Sequence, residues 1–283
     1  MNLYTIDTGR FKLDGGAMFG VVPKTLWSRN YPADDNNLCT WAMRCLLVEN
    51  GNRLILIDTG IGNKQSDKFF GHYHLHQMKT LESCLHEKGF SSDQITDVFL
   101  THLHFDHCGG AVYRDAASGL LVPTFKNATY WSNEAHWNWA IQPNAREKAS
   151  FLSENILPIQ ESGQLKFIQT QDWITTEVLP GIDVITVNGH TEAQMLPVIN
   201  KNGRKIVFCA DLLPSPHHIP LAWIMGYDMR PLVTLTEKER FLKEAAANEY
   251  VLMYEHDAKV EAGLVVATDR GIAAGETVRL TDL

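Results

Sequence analysis

Between residues 96 and 110 the chain reads TDVFLTHLHFDHCGG, a short apolar run that breaks directly into three histidines and an aspartate and is closed by two glycines. This junction constrains the fold more than any other stretch. An apolar run of strand length has to be buried in a sheet, and the loop leaving it has to gather His102, His104, Asp106 and His107 at the sheet's edge. Four ligand-type side chains in six positions are poorly explained by packing. Neutral imidazole suits zinc, iron or nickel, and a carboxylate adds charge and can bridge two ions. The junction predicts a metal site on a strand end, and such a site needs further ligands from elsewhere in the chain.

Three more strand-like runs end on groups of that kind. IDVITVNG leads to His190, KIVFCA to Asp211 and YVLMYE to His256. Each alone is as compatible with an ordinary polar strand end as with a ligand. With the first group they total five histidines and two aspartates. Two metal ions need that number when one carboxylate bridges them and one position stays open for water.

The surrounding pattern predicts an α/β fold. TWAMRCLLVEN (40–50) and RLILIDTG (53–60) read as a hairpin about Asn50-Gly51-Asn52, and AQMLPVINKNGRKIVFCAD (193–211) as a second about Asn202-Gly203. TFKNATYWS (124–132) and YVLMYEHD (250–257) also read as strands. Helices are expected from about His76 to Lys88, through most of 133–155 with a break at Gln142-Pro143-Asn144, and from Thr236 to about Asn248. The last carries a capping-box pattern, TEKE, with Glu239 three residues on. Strand pairs in each half, separated by helices, imply a four-layer αββα sandwich, with residues 1–283 as a single domain free of repeats and low-complexity linkers.

Composition narrows the function classes. A formal net charge of -8 argues against nucleic acid or an anionic membrane as partner. Five cysteines without a CxxC pair fit reduced thiols, and the N-terminus has no long apolar stretch, so neither a secretory signal nor a membrane span is expected. A cytoplasmic protein acting on a small molecule is the resulting expectation, and a homodimer is compatible with it.

The pattern His102-x-His104-x-Asp106-His107, followed by His190 in GHT, Asp211 in AD and His256 in EHD, resembles the metallo-β-lactamase superfamily of metal-dependent hydrolases over nearly the whole chain. The resemblance implies two divalent metal ions, Zn2+ first among the candidates, at one edge of the paired sheets. His102, His104 and His190 would hold the first, Asp106, His107 and His256 the second, and Asp211 would bridge them. Asp58, in IDTG, matches the buried acid that supports the ligand loop from behind. Histidine at 104, where the diiron flavoprotein branch carries glutamate, favours hydrolysis over electron transfer.

Two segments, 14–32 and 213–257, are similar to stretches of quorum-quenching N-acyl-homoserine lactonases. The implied activity is opening of a lactone, or cleavage of a small ester, by a metal-bridging hydroxide, with Asp106 or Asp211 moving the proton. A thioesterase like glyoxalase II or a phosphotriesterase is the alternative within the superfamily, and a diiron redox or metal-sensing protein the alternative from another class. One departure stands out. Lactonases of the superfamily place a tyrosine three positions after the bridging aspartate, where this chain has Pro214. Tyr227 either supplies the missing phenol or packs as an ordinary aromatic. Met18 and Phe19 either wall an acyl-chain pocket or fill the core, and His218, beside His217, either borders the substrate mouth or caps the next helix. GHYHLH (71–76) reads as a surface segment near the site rather than a third metal site, because no carboxylate accompanies it.

Overall fold

The computed structural model describes residues 1–283. The first half supplies strands β1 (Asn2–Asp14), β2 (Leu38–Asn50), β3 (Arg53–Ile57), β4 (Asp97–Phe99), β5 (Val112–Arg114), β6 (Leu121–Pro123), β7 (Thr129–Ser132) and β8 (Leu165–Phe167). The second supplies β9 (Ile174–Leu179), β10 (Ile182–Val187), β11 (Gln194–Lys201), β12 (Arg204–Phe208), β13 (Val251–Met253), β14 (Ala262–Thr268) and β15 (Gly271–Val278). The helices are α1 (Gly15–Phe19), α2 (Lys24–Trp27), α3 (Asp67–Gly71), α4 (Leu81–Glu87), α5 (Phe105–Cys108), α6 (Glu134–Ile141), α7 (Ser153–Glu161) and α8 (Pro231–Ala247). Strands β1-β2-β3-β4-β7-β8 make one sheet and β15 through β9 the other, with β5 and β6 as a separate hairpin.

Period-2 alternation distributes the apolar residues between layers. Leu46, Val48, Ile55 and Ile57 turn towards the second sheet and join Val184, Val198 and Phe208 in the central core. Their neighbours Cys45, Leu47, Leu54 and Leu56 turn outward, under Leu85 of α4, Trp137 of α6 and Ile156 of α7. On the far side, Phe241, Leu242 and Ala245 of α8 cover the second sheet. The layers therefore run α-β-β-α, as the pattern predicts. No helix is long and apolar enough to cross a membrane.

Both expected hairpins form. Asn50 pairs with Arg53 across Gly51-Asn52. Asn202 and Gly203 both take left-handed backbone, φ 53° and 79°, the conformation a two-residue turn between twisted strands requires. Other boundaries differ from expectation for local reasons. Helix α8 starts at Pro231, five residues before Thr236. Proline at the first helical position lacks only an N–H that would have no helical partner. The Thr236 hydroxyl donates back to Leu232 O (3.2 Å), so TEKE lies inside the helix and caps nothing. The expected helix at 76–88 shrinks to Leu81–Glu87, because His76 is paired in both directions with Arg10 and Lys79 N–H donates to Thr8 O. Thr80 caps what is left. Of 124–132 only Thr129–Ser132 is strand, and of 250–257 only Val251–Met253.

This topology decides where chemistry can occur. Strands β3 and β4 are parallel, as are β12 and β13, and β10 shares the direction of β12 through the antiparallel β11. The loops leaving β3, β4, β10, β12 and β13 carry Asp58, His102, His190, Asp211 and His256, and all five meet at one edge of the sandwich.

Candidate metal centre

The ligand loop 101–108 is shaped by buried groups beneath it. Asp58 follows β3 with a left-handed φ of 56° and is fully buried. One carboxylate oxygen accepts Thr101 N–H (2.8 Å) and the other the Thr101 hydroxyl (2.6 Å). His136 of α6 accepts Leu103 N–H at Nε2 (2.8 Å), while its Nδ1 donates to Glu192 O (2.6 Å). Burial holds this imidazole down at about 4, so it stays a neutral acceptor. Short helix α5 then turns Asp106 and His107 inward.

The structure brings together all seven residues singled out in sequence. Ligand atoms of His102, His104, His190 and Asp211 lie within 4.8 Å of one another, and so do those of Asp106, His107 and His256. The Asp211 carboxylate reaches both groups. Its Oδ2 is 3.0 Å from His190 Nε2 and 3.6 Å from His107 Nε2, and its Oδ1 is 3.1 Å from His256 Nε2.

In four of the five rings the outer nitrogen is tied down. His190 Nδ1 is 2.9 Å from Asp228 Oδ1, His256 Nδ1 2.8 Å from Ala42 O, and His107 Nδ1 3.0 Å from both Asp58 Oδ2 and Glu255 Oε2. His102 Nδ1 lies 3.1 Å from the Thr101 hydroxyl, which itself donates to Asp58. These partners place the proton of each neutral ring on Nδ1 and leave an Nε2 lone pair facing inward. His104 is turned round, with Nδ1 inward and Nε2 3.5 Å from Glu147 Oε1 without a formed hydrogen bond.

The inward nitrogens then face one another. His107 Nε2 and His256 Nε2 are 3.2 Å apart, His104 Nδ1 and His190 Nε2 3.2 Å, and His102 Nε2 and His104 Nδ1 3.1 Å. Lone pairs at that separation repel unless a proton or a metal cation sits between them. Asp211 Oδ1, buried and without a hydrogen-bond partner, points into the same space. The donor set therefore fits divalent metal ions, and histidine with carboxylate suits zinc, iron, cobalt or manganese alike.

Several participants escape sequence reading. Glu255 is completely buried beside His256, and burial with Asp58 nearby pushes its carboxyl up to about 8 against the pull of His107. An acid adjoining a ligand at a strand end was the available signal. Asp228 and Glu147 lie in loops with no spacing signature. Glu147 is pushed up by burial yet held at about 2, because His104, Thr191 and Trp139 favour its charged form. Since Asp58 ties the ligand loop to His107, Asp58→Asn is expected to weaken metal binding about 10–100-fold with the fold retained, measured by chelator competition.

A cavity of about 410 Å³ opens on His104, Asp106, His190, Asp211 and His256. Its other walls include Met18, Met225, Met229, Phe105, Tyr73 and Tyr227. Met18 and Tyr227 thus lie where a pocket role requires. Phe19 and His218 do not, and the pocket expectation is corrected for both. Phe19 is buried in an aromatic cluster, stacked on the His218 ring (4.9 Å, 5°) and on Trp27 (5.2 Å, 15°). His218 is spent on Ser215 Oγ (2.8 Å) and Met18 O (2.9 Å), clamping α1 to the loop after Asp211. In 71–76, Tyr73 and Leu75 turn inward while His72 and His74 are exposed, and no three metal-ligating groups gather there.

Comparison with known proteins agrees with this geometry. The sequence profile of the Metallo-beta-lactamase superfamily matches residues 44–256. An N-acyl homoserine lactonase of Bacillus sp is 24% identical over 282 residues, spanning 93% of this chain and 96% of the relative. A probable metal-dependent hydrolase from Staphylococcus aureus superposes with a TM-score of 0.84 at 28% identity, covering 98% of each chain. AidC, a dizinc quorum-quenching lactonase solved in complex with a product, superposes with a TM-score of 0.77 at 21% identity, covering 98% of this chain and 94% of its own.

Proposed function

The chain belongs to the metallo-beta-lactamase superfamily and is a metal-dependent hydrolase, and from that premise we propose that it opens the ring of N-acyl homoserine lactones or cleaves closely related small esters. The observation that carries the reading is the position of Asp211, one carboxylate oxygen towards each histidine group, on the floor of a cavity with an apolar wall. His102, His104 and His190 would hold one divalent cation, Asp106, His107 and His256 a second, with Asp211 shared and zinc the ion of first choice. When bound, such a pair supplies a water-derived nucleophile near neutral pH and polarises the scissile carbonyl.

The chain's own residues do the rest. Met18, Met225, Met229 and Phe105 offer an acyl chain an apolar, adaptable surface and exclude water from the carbonyl. Asp106 and Asp211 line the cavity, and one of them would take the proton of the attacking water. The alkoxide released by ring opening needs a proton back. With proline at 214, the phenols of Tyr73 and Tyr227 are the cavity's hydroxyls of suitable acidity. Burial, with Asp106 adding to it, raises Tyr73 to about 12, and burial raises Tyr227 too, so both remain protonated donors.

Turnover of butanoyl- and dodecanoyl-homoserine lactone by the metal-loaded protein tests the reading, with Asp211→Ala as blank. Ring opening that the variant loses supports both reaction and site. Failure on every lactone, with activity on thioesters or phosphotriesters, would replace the substrate class and keep the metal centre.

A further inference from the structure

Arg146 stands at the mouth of the cavity, on the segment between α6 and α7, and is the only lysine or arginine that lines it. It reaches across the opening and donates from Nη2 to the backbone carbonyl of Gly226, rather than to a carboxylate. We propose that this contact is a strap over the substrate mouth, and that Arg146 is thereby the residue setting the length of acyl chain the cavity admits. The inference rests on the hydrolase reading above and deepens it.

The two banks of the mouth are fixed, and the strap is not. On one bank the Lys238 ammonium, buried in α8, donates to the carbonyls of His218 (2.9 Å), Pro220 (3.0 Å) and Trp223 (2.8 Å). Gly226 N–H donates to Ala17 O (2.7 Å), which anchors to α1 the residue whose carbonyl accepts from Arg146. Gly20 takes φ 57° where a Cβ would come within 2.4 Å of Ile224 O, so this approach of α1 to the bank requires glycine. On the opposite bank, Asn144 Oδ1 accepts the N–H groups of Arg146 (2.9 Å) and Glu147 (3.1 Å), and the Glu147 carboxylate is held by Thr191 and Trp139.

Between these two banks the Arg146–Gly226 bond is the one hydrogen bond. Arg146 is exposed, so its long side chain can swing out without moving either backbone. A short acyl chain fits between floor and strap. A long one has to leave between Arg146 and Gly226 and must break their bond to do so. The three methionines on the wall adapt to chains of different shape, which leaves the strap as the element that discriminates length.

The test is kcat/KM for a homoserine lactone series from butanoyl to dodecanoyl, on wild type, Arg146→Ala and Arg146→Met. Arg146→Met keeps a long side chain and removes the donors. Both variants are expected to raise the dodecanoyl-to-butanoyl ratio about 10-fold, the scale of one charge-assisted hydrogen bond, with the change in KM rather than kcat. A ratio unchanged in both overturns the strap, and a ratio altered in Arg146→Ala alone assigns the effect to bulk and also overturns it. If wild type opens no lactone in the series, the lactonase reading fails by itself. The same ratio read on aryl esters of the same acids then decides the strap, and a wild type inert to both series overturns the two together.

Discussion

Asp211→Ala is expected to lose hydrolysis by more than about 10³-fold and to leave the protein with no more than one tightly held metal ion per chain. The size of the effect follows from how many interactions converge on one side chain. Its carboxylate faces His190 and His256 at 3.0 and 3.1 Å through different oxygens, and Oδ1 has no hydrogen-bond partner to compensate. It is also the counter-charge for the imidazoles around it. Burial pushes its carboxyl up, but His190, His256 and His107 hold it well below the ordinary carboxylate range. Alanine removes that charge and leaves inward-facing nitrogens about 3.2 Å apart with nothing negative between them. Metal content by elemental analysis and turnover on a common batch would measure both consequences. Two tightly bound ions with normal turnover would show that Asp211 is not shared between the sites. Asp106→Asn is expected to be narrower, weakening only the ion beside His107 and His256.

How far this could be read from the sequence depends on the range over which each feature is encoded. His102, His104, Asp106 and His107 were legible because one loop carries them, and the strand before them dictates that they end at a sheet edge. His190, Asp211 and His256 were legible by analogy of position, each after an apolar run. The groups that orient these rings were not. Asp228 reaches His190 from 38 residues away and Ala42 O reaches His256 from 214 away, and no periodicity connects such pairs. The cavity wall was half legible. Met18 and Phe19 are adjacent in a short helix, about 100° apart, and nothing in the sequence says which of them faces the cavity. The clamp that removed His218 from the pocket depends on Met18 O, 200 residues distant. One helix start was misplaced because a polar pattern imitated a cap, at Thr236, and another because His76 and Lys79 are bonded to β1, a pairing no local pattern announces.

Metal affinity is expected to climb steeply with pH, by about 100-fold per unit below about pH 9 from His190 and His256 alone, and to keep climbing to about pH 10. In the metal-free protein, burial pushes His190 and His256 down, but the Asp211 carboxylate, aided by Asp228 for the first and Glu255 for the second, raises them to about 10 and about 9. Both are therefore protonated at neutral pH, and both must release that proton from an inward nitrogen before a cation can take its place. An ordinary histidine site would level off above about pH 7, once imidazoles of pKa near 6.5 are neutral. Zinc affinity measured by chelator competition from pH 6 to 10 separates the two behaviours. A plateau from pH 7 upward would mean that Asp211 does not charge these two rings. Stability has to follow the same linkage. Because the folded values lie above the unfolded one, the stabilisation that protonated His190 and His256 give the metal-free protein is complete below about pH 6.5 and disappears as pH rises through 9 to 10. In the loaded protein the cations replace those protons as partners of Asp211, so its melting temperature should stay nearly level across the window. The gap between loaded and metal-free melting temperatures should accordingly widen with pH. A gap that narrows over the same range would contradict competition between proton and metal for one buried carboxylate.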